Sequence, residues 1–380
     1  MIMLYLSGSF GTSWEKNMII FVAIFAIILL AGIRLTPIKE FNNDYMSKDN
    51  TNTIKGIFVI LVFFSHSSQY IGVNNLTGTF DAPYVTMQNF LGQMIVSAFL
   101  FYSGFGIMES ITKKGFDYVK TIPVKRVFKT LVNFDIIVAI FLVLDLIFGE
   151  KFSVKQILLS FVAWENINNS NWYILAILLL YIVTFLTFIP IKLSKKKSMH
   201  VICAIALTLL TIVLAFILFK VGKESWYYNT LFIYPLGIWY SILKPYIDKI
   251  IMKNAVIYFI VLLAGLGAVI FTYLHRESHP YLQNGDYVLS LPYTVWSLAF
   301  TLFVVLLSMK TKLKSFIYSW LGSHIFSVYM LQRVPMLILK KVGLCDYNKY
   351  LFIVISFAAT ILLAIIFDKL IGKMWDKSKI

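Results

Sequence analysis

The sequence predicts an all-α polytopic membrane protein with eleven transmembrane helices, its amino terminus outside the cytoplasm and its carboxyl terminus inside. Three observations carry this expectation. Of 380 residues, 59% are hydrophobic and only 14% charged, with a mean hydropathy of +0.80, whereas soluble globular chains carry about 25% charge. Apolar runs long enough to cross a bilayer recur along the chain, and eleven spans of about 20 residues would fill roughly 220 positions. Lysine and arginine concentrate in every second connection. The net charge of +16 therefore belongs to loops beside a lipid bilayer, the expected partner, and not to a nucleic-acid-binding face. Soluble, disordered and fibrous classes are excluded.

The runs are read as helices because they are continuous rather than short and alternating, and lipid allows only helices or closed barrels to pair every backbone group. The first, 18–36, has its stronger positive flank after the apolar stretch and no small-residue cleavage site, so it reads as an anchor and not a cleaved signal. Next come 54–72, 87–108, 129–148, 171–190 and 200–220. A seventh, 228–246, is interrupted by Pro235, Gly237 and Pro245, and 254–273, 289–308, 316–341 and 350–372 complete the set. Residues 1–50 thus form an extra amino-terminal transmembrane helix with a cytoplasmic linker, and residues 51–380 form a ten-helix membrane domain. Cys203 and Cys345 lie in or beside apolar stretches and read as packing residues.

Orientation follows from the basic residues. One set of connections carries 24, including Arg34, Lys55, the run Lys113 to Lys129, Lys192 to Lys197, Lys310 to Lys314 and the carboxyl-terminal lysines; the other carries 9. The richer set belongs in the cytoplasm. The remaining basic residue, Arg333, lies inside a span.

An ionisable side chain in hydrocarbon costs at least about 2.5 kcal/mol, so each one that persists there needs a partner, a wet cavity or a task. The run Lys55-Gly56-Ile57-Phe58 through Ser65-His66-Ser67 supplies the leading case. His66 stands eleven residues beyond Lys55, roughly 16 Å deeper and only about 20° around the helix. The two share a face, with Lys55 at the inner mouth and His66 near mid-depth. A structural histidine bonded to a neighbouring helix explains the position equally well. The functional reading adds that a desolvated imidazole stays neutral and can take a proton from a hydroxyl.

At this point the chain resembles the membrane acyltransferase family 3, which acylates sugars of surface polysaccharides and other glycans. That family carries Arg or Lys, ten residues, then His in its first core helix, as Lys55 and His66 do here. Its aromatic segment ending in Ser-Gly-Phe is matched by Phe99 to Gly106, in which Ser103, Gly104 and Phe105 close the aromatic run. Its basic pair before a helix is matched by Arg126 and Lys129, its Trp-aromatic pair by Trp172 and Tyr173, and a later helix by Leu321 to Leu331. The resemblance covers about residues 50 to 370. The chain departs from the pattern where Gln332 and Arg333 stand in place of a second histidine, and where a proline after the basic pair is missing.

The resemblance implies an acyl-coenzyme A donor on the cytoplasmic side, acetyl-coenzyme A by default, consumed as a substrate with no permanently bound cofactor. It also implies a carbohydrate acceptor: a surface polysaccharide, teichoic acid or lipid-linked glycan at a bacterial cytoplasmic membrane. His66 is then the general base. Lys55, Lys125, Arg126 and Lys129 suit the phosphates of the donor, against the simpler explanation of positive-inside charge and anionic lipid. Ser65, Ser67 or Ser103 would meet the oxyanion, and Asp135 would orient His66 or pair with a lysine; Asn171 and Trp172 would contact the acceptor or form part of an interfacial belt, and Arg333 would hold an anionic acceptor, against the simpler explanation of an ion pair or a snorkelling contact. His275 and His279, with Glu277 and Asp286, have a metal-like spacing, but a short exterior loop explains them and no metal is expected. Two other readings use the same bundle: an exporter or flippase of a lipid-linked or surface polysaccharide, which needs no base, and a non-catalytic scaffold.

Overall fold

The computed structural model describes residues 27, 30, 33–71, 82–194, 196–277 and 291–378. Long helices dominate: α1 (Lys48–Ile71), α2 (Ala82–Lys114), the short α3 (Phe116–Val119), α4 (Lys129–Ile147), the short α5 (Val154–Ser160), α6 (Trp172–Phe188) and α7 (Lys197–Lys220). They continue with the short α8 (Ser225–Tyr228), α9 (Ile233–Ile251), α10 (Ala255–Glu277), α11 (Leu291–Ser308), α12 (Phe316–Ser323), α13 (Ile325–Leu331), α14 (Arg333–Lys341), the short α15 (Leu344–Tyr347) and α16 (Lys349–Ser378). Two strands of three residues, Ile33–Leu35 and Thr311–Leu313, complete the elements.

Among the described residues, eight helices are long and apolar enough to cross a membrane: Lys48–Ile71, Gln93–Lys114, Phe116–Ile147, Trp172–Lys192, Lys197–Lys220, Ala255–His275, Leu291–Ser308 and Lys349–Lys377. Each coincides with an expected span. The chain is therefore a multi-pass membrane protein of the all-α class, and its many exposed leucines, isoleucines and phenylalanines, Leu263, Phe271 and Ile355 among them, are the surface such helices turn to lipid.

Two expected spans read differently, and one falls outside the comparison. The 18–36 run lies almost entirely outside the described residues. The seventh becomes α9, shifted to Ile233–Ile251, and its last turns carry Lys244, Asp248 and Lys249. The 316–341 run is three helices instead of one. Pro335 has no N–H to give the carbonyl of Leu331 and so weakens the ladder at that joint, where the first turn of α14 tolerates it; α9, by comparison, carries Pro245 without a break. At the earlier joint, His324 has φ −106° and ψ 23°, and both its backbone N–H (3.1 Å) and its Nδ1 (2.8 Å) are directed at the carbonyl of Trp320. A side chain competing for a ladder carbonyl is an ordinary cause of a helix kink.

By contact the chain divides into two compact units interleaved in sequence. The first comprises Met1–Arg34, Ser47–Ile95 and Lys312–Lys373; the second Leu35–Met46, Val96–Thr311 and Met374–Ile380. In the first, α1 packs chiefly on α12. Gly56 and Gly322 make that crossing: a Cβ on Gly56 would overlap the carbonyl oxygen of Tyr318, and one on Gly322 that of Asn52. In the second unit, Gly104 of α2 and Gly237 of α9 do the same against the carbonyls of Tyr234 and Phe101. Lipid offers no hydrophobic drive for helices to associate, so close backbone approach at small residues substitutes for it.

Burial separates central helices from peripheral ones. The apolar windows of α1 and of Gln93–Lys114 are 67% and 78% buried, against 11% for Ala255–His275. Lys55, His66 and Ser103 lie on the former kind, whereas Lys125, Arg126, Lys129 and Asp135 belong to Phe116–Ile147, whose window is 28% buried. At the foot of the second unit Lys310, only 7% exposed, donates to the carbonyls of Pro37 (3.0 Å), Ile38 (2.6 Å) and Glu40, and sits 4.2 Å from the Phe41 ring centroid. It fastens the segment before α1 to the end of α11.

Candidate functional site

In the first unit the site is built on α1, an unbroken helix from Lys48 to Ile71, so Lys55 and His66 do share a face. Lys55 is half-buried and His66 is 8% exposed. The imidazole Nδ1 is buried and makes no hydrogen bond, and the ring lies 6.0 Å from that of Tyr329. Buried polar atoms are nearly always paired; a neutral imidazole nitrogen left open is a proton acceptor in waiting. The neighbouring hydroxyls are occupied, Ser67 donating to the Phe64 carbonyl (2.9 Å) and Ser68 to that of Ser65 (2.7 Å).

The broken helix brings its own polar groups to the same place. Arg333, first residue of α14, is within electrostatic reach of His66. Its Nη2 donates to Gln69 Oε1 at 2.6 Å, its guanidinium carbon is 5.9 Å from the Tyr70 ring centroid, and its Nε is buried without a partner. Gln332, wholly buried, donates from Nε2 to the Tyr329 carbonyl (2.8 Å) and leaves Oε1 unmatched. Sequence reasoning missed Gln69, legible as the residue one helical turn past His66, and marked Gln332 only as a departure from the family pattern. It also missed the joint at His324, where Nε2 stands 3.9 Å from Asp368 Oδ2, which accepts from Ser327 Oγ at 2.9 Å.

The second unit gathers another group. After α2 the chain passes α3 and then a wide turn of π-helix, Pro123–Phe128, whose hydrogen bonds skip one residue more than an α-helix. This turn presents Lys125 and Arg126, both accessible. Arg126 Nε donates to the Tyr118 hydroxyl at 3.2 Å, and the hydroxyls of Tyr181 and Tyr234 are within electrostatic reach. Tyr181 hydrogen-bonds Ser103 (2.8 Å), and Tyr234 hydrogen-bonds Thr184 (2.8 Å). Ser103, also expected to act, is thus bonded to a tyrosine within electrostatic reach of Arg126, and the sequence reading selected none of these tyrosines. Lys129, the residue after the turn, lies 4.8 Å over the Trp375 ring. An accessible guanidinium that gives one N–H to a tyrosine hydroxyl is a fit receptor for phosphate oxygens.

Asp135, in α4 of the same unit, has a buried Oδ1 with no hydrogen bond. Asn171 is 1% exposed, and its amide is fully engaged: Nδ2 donates to the carbonyls of Ala163 (3.0 Å) and Glu165 (2.6 Å), and Oδ1 accepts from the Tyr227 hydroxyl (3.0 Å). It closes a loop that contains two non-glycine residues at positive φ, Ala163 (57°) and Asn168 (60°). Trp172 follows it as the first residue of α6, its ring 6.2 Å from Tyr173. His275 stacks on Phe271; His279 and Asp286 lie outside the described residues.

Compared with known proteins, the chain matches one family model, described as an acyltransferase domain, over residues 49–369. That stretch begins at the second residue of α1 and ends within α16. No curated relative and no solved structure matches the chain.

Proposed function

Because the chain belongs to this acyltransferase family, we propose that it is an integral-membrane O-acyltransferase, moving an acyl group, acetyl by default, from cytoplasmic acyl-coenzyme A to a hydroxyl of a cell-surface carbohydrate. The observation that carries the reading is the unmatched Nδ1 of His66, buried within a spanning helix. In this mechanism the imidazole takes the proton of the acceptor hydroxyl as its oxygen attacks the thioester carbonyl. The tetrahedral intermediate collapses, the carbon–sulfur bond breaks, and the imidazolium returns the proton to the departing thiolate. No proton is gained or lost overall, so a single base serves both steps.

Arg126, Lys125 and Lys129 are assigned to the phosphates of the donor, with Lys55 at the mouth of α1. Supporting this are the accessibility of the π turn and the hydroxyls around Arg126. Arg333 and Trp172 are assigned to the acceptor. The decisive test is His66→Ala in purified, reconstituted protein, with transfer of labelled acyl groups as readout. A general base contributes about 10²–10⁴-fold, and a loss of that size is expected. Transfer at the unmodified rate would remove the mechanism, and glycan export that survives the substitution would favour the exporter.

A further inference from the structure

Three polar groups near one another in the first unit are buried without a hydrogen-bond partner: Nδ1 of His66, Oε1 of Gln332 and Nε of Arg333. They are tied together by short links. Gln69 stands three residues beyond His66 on α1, a rise of about 4.5 Å, and holds the Arg333 guanidinium through Nη2 at 2.6 Å. Gln332 precedes Arg333 at the helix joint and is anchored to Tyr329, whose ring lies 6.0 Å from the imidazole.

The open valences describe their ligand. Oε1 of Gln332 is an acceptor, and Nδ1 of His66 is a second in the tautomer protonated at Nε2, the form a general base at Nδ1 requires; both then ask for hydroxyl protons. The third is an N–H on a cation whose fork is met by a neutral amide and not by a carboxylate. A neutral sugar would answer the acceptors and leave the guanidinium without a counter-charge; a simple anion would answer the guanidinium and leave the acceptors empty. A hydroxylated anion answers all three. We propose that Arg333, set by Gln69 and flanked by Gln332, is a subsite for a carboxylate or phosphate on the acceptor, one helical turn from the hydroxyl that His66 deprotonates. The acceptor class is then a sugar acid or a polyol or sugar phosphate, its charged group a few bonds from the reacting oxygen. The word acceptor rests on the O-acyltransferase reading; the anion subsite does not.

The test is equilibrium binding to the full-length protein in phosphatidylcholine vesicles. The probes are oligo(glycerol phosphate), an oligogalacturonate and a neutral glucose oligomer, with acyl transfer to each measured separately. The expected result is that one anionic probe binds at least about tenfold more tightly than the neutral one, and that Arg333→Gln erases the difference, the size of a lost charge-assisted pair. Arg333→Lys, which keeps the charge but not the fork, should recover part of it and guards against a glutamine variant that fails to fold. The winning probe distinguishes phosphate from carboxylate. Equal binding of all three probes, or an anionic preference that survives both substitutions, overturns the subsite. Suppression of probe binding by phosphatidylglycerol in the vesicles assigns the site to a lipid headgroup and overturns the acceptor. Selective binding without any acyl transfer sinks the enzymatic reading and leaves the subsite standing.

Discussion

Gly104 and Gly106 sit two residues apart in the same segment of α2, and alanine at each should act in opposite directions. A Cβ at Gly104 would overlap the carbonyl oxygen of Tyr234 and come to 3.1 Å from its carbon and 3.4 Å from the nitrogen of Ile238; a Cβ at Gly106 meets nothing within 4 Å. The obstacle at Gly104 is backbone, which cannot rotate aside as a side chain does, and the facing residue is itself a glycine, Gly237, seated against Phe101. The two helices must therefore separate, an overpacking cost of roughly 1–3 kcal/mol. Better helix propensity returns about 1 kcal/mol at either site. Gly104→Ala should lose up to about 2 kcal/mol net and Gly106→Ala gain up to about 1 kcal/mol, separating the variants by about 1–3 kcal/mol. Reversible unfolding in mixed detergent, followed by tryptophan fluorescence, reads the difference. If the two alanines shift the midpoint alike, or Gly104→Ala is the more stable, the crossing is not held by glycine contact.

Three other outcomes are expected from the geometry. Arg126→Ala should raise the KM for acyl-coenzyme A by about tenfold with a smaller change in kcat, as expected for a lost phosphate contact, whereas Tyr118→Phe, which removes one hydroxyl from Arg126, should raise it less; initial rates against donor concentration check both. Asn171→Ala deletes an amide that makes three hydrogen bonds in a buried loop and should cost about 1–3 kcal/mol in the same unfolding assay. Lys310→Met leaves the carbonyls of Pro37, Ile38 and Glu40 without their donor. A loss of about 3 kcal/mol or more is expected, together with faster proteolysis of the segment before α1.

Hydropathy made the spans legible because lipid imposes one demand on every residue of a long run, and eight of the expected segments are helices of crossing length. It failed where local chemistry overrules the average. The 316–341 run is apolar enough to pass for one span, yet Pro335 and the His324 side chain divide it. Lys55 and His66 were legible because one helix carries both and its period is fixed. The tyrosines around Arg126 were not: Ser103 and Tyr181 are 78 residues apart, and Thr184 and Tyr234 are 50 apart, so only tertiary packing brings them together. Lys310 was counted as one more inner-loop charge, with nothing in its neighbours to announce a structural clasp. Gly104 and Gly322 were read as pieces of a motif; the backbone overlaps explain why glycine stands there.

The jointed stretch from Phe316 to Lys341 also bears on how this protein tolerates change. In a continuous rod, adding or deleting one residue turns everything beyond it by about 100°, and Arg333 would swing away from Gln69. The break at His324 interrupts that rigid transmission, so Gly322, which has no room to spare against Asn52, and Arg333 need not turn together. Drift in one end need not be inherited by the other.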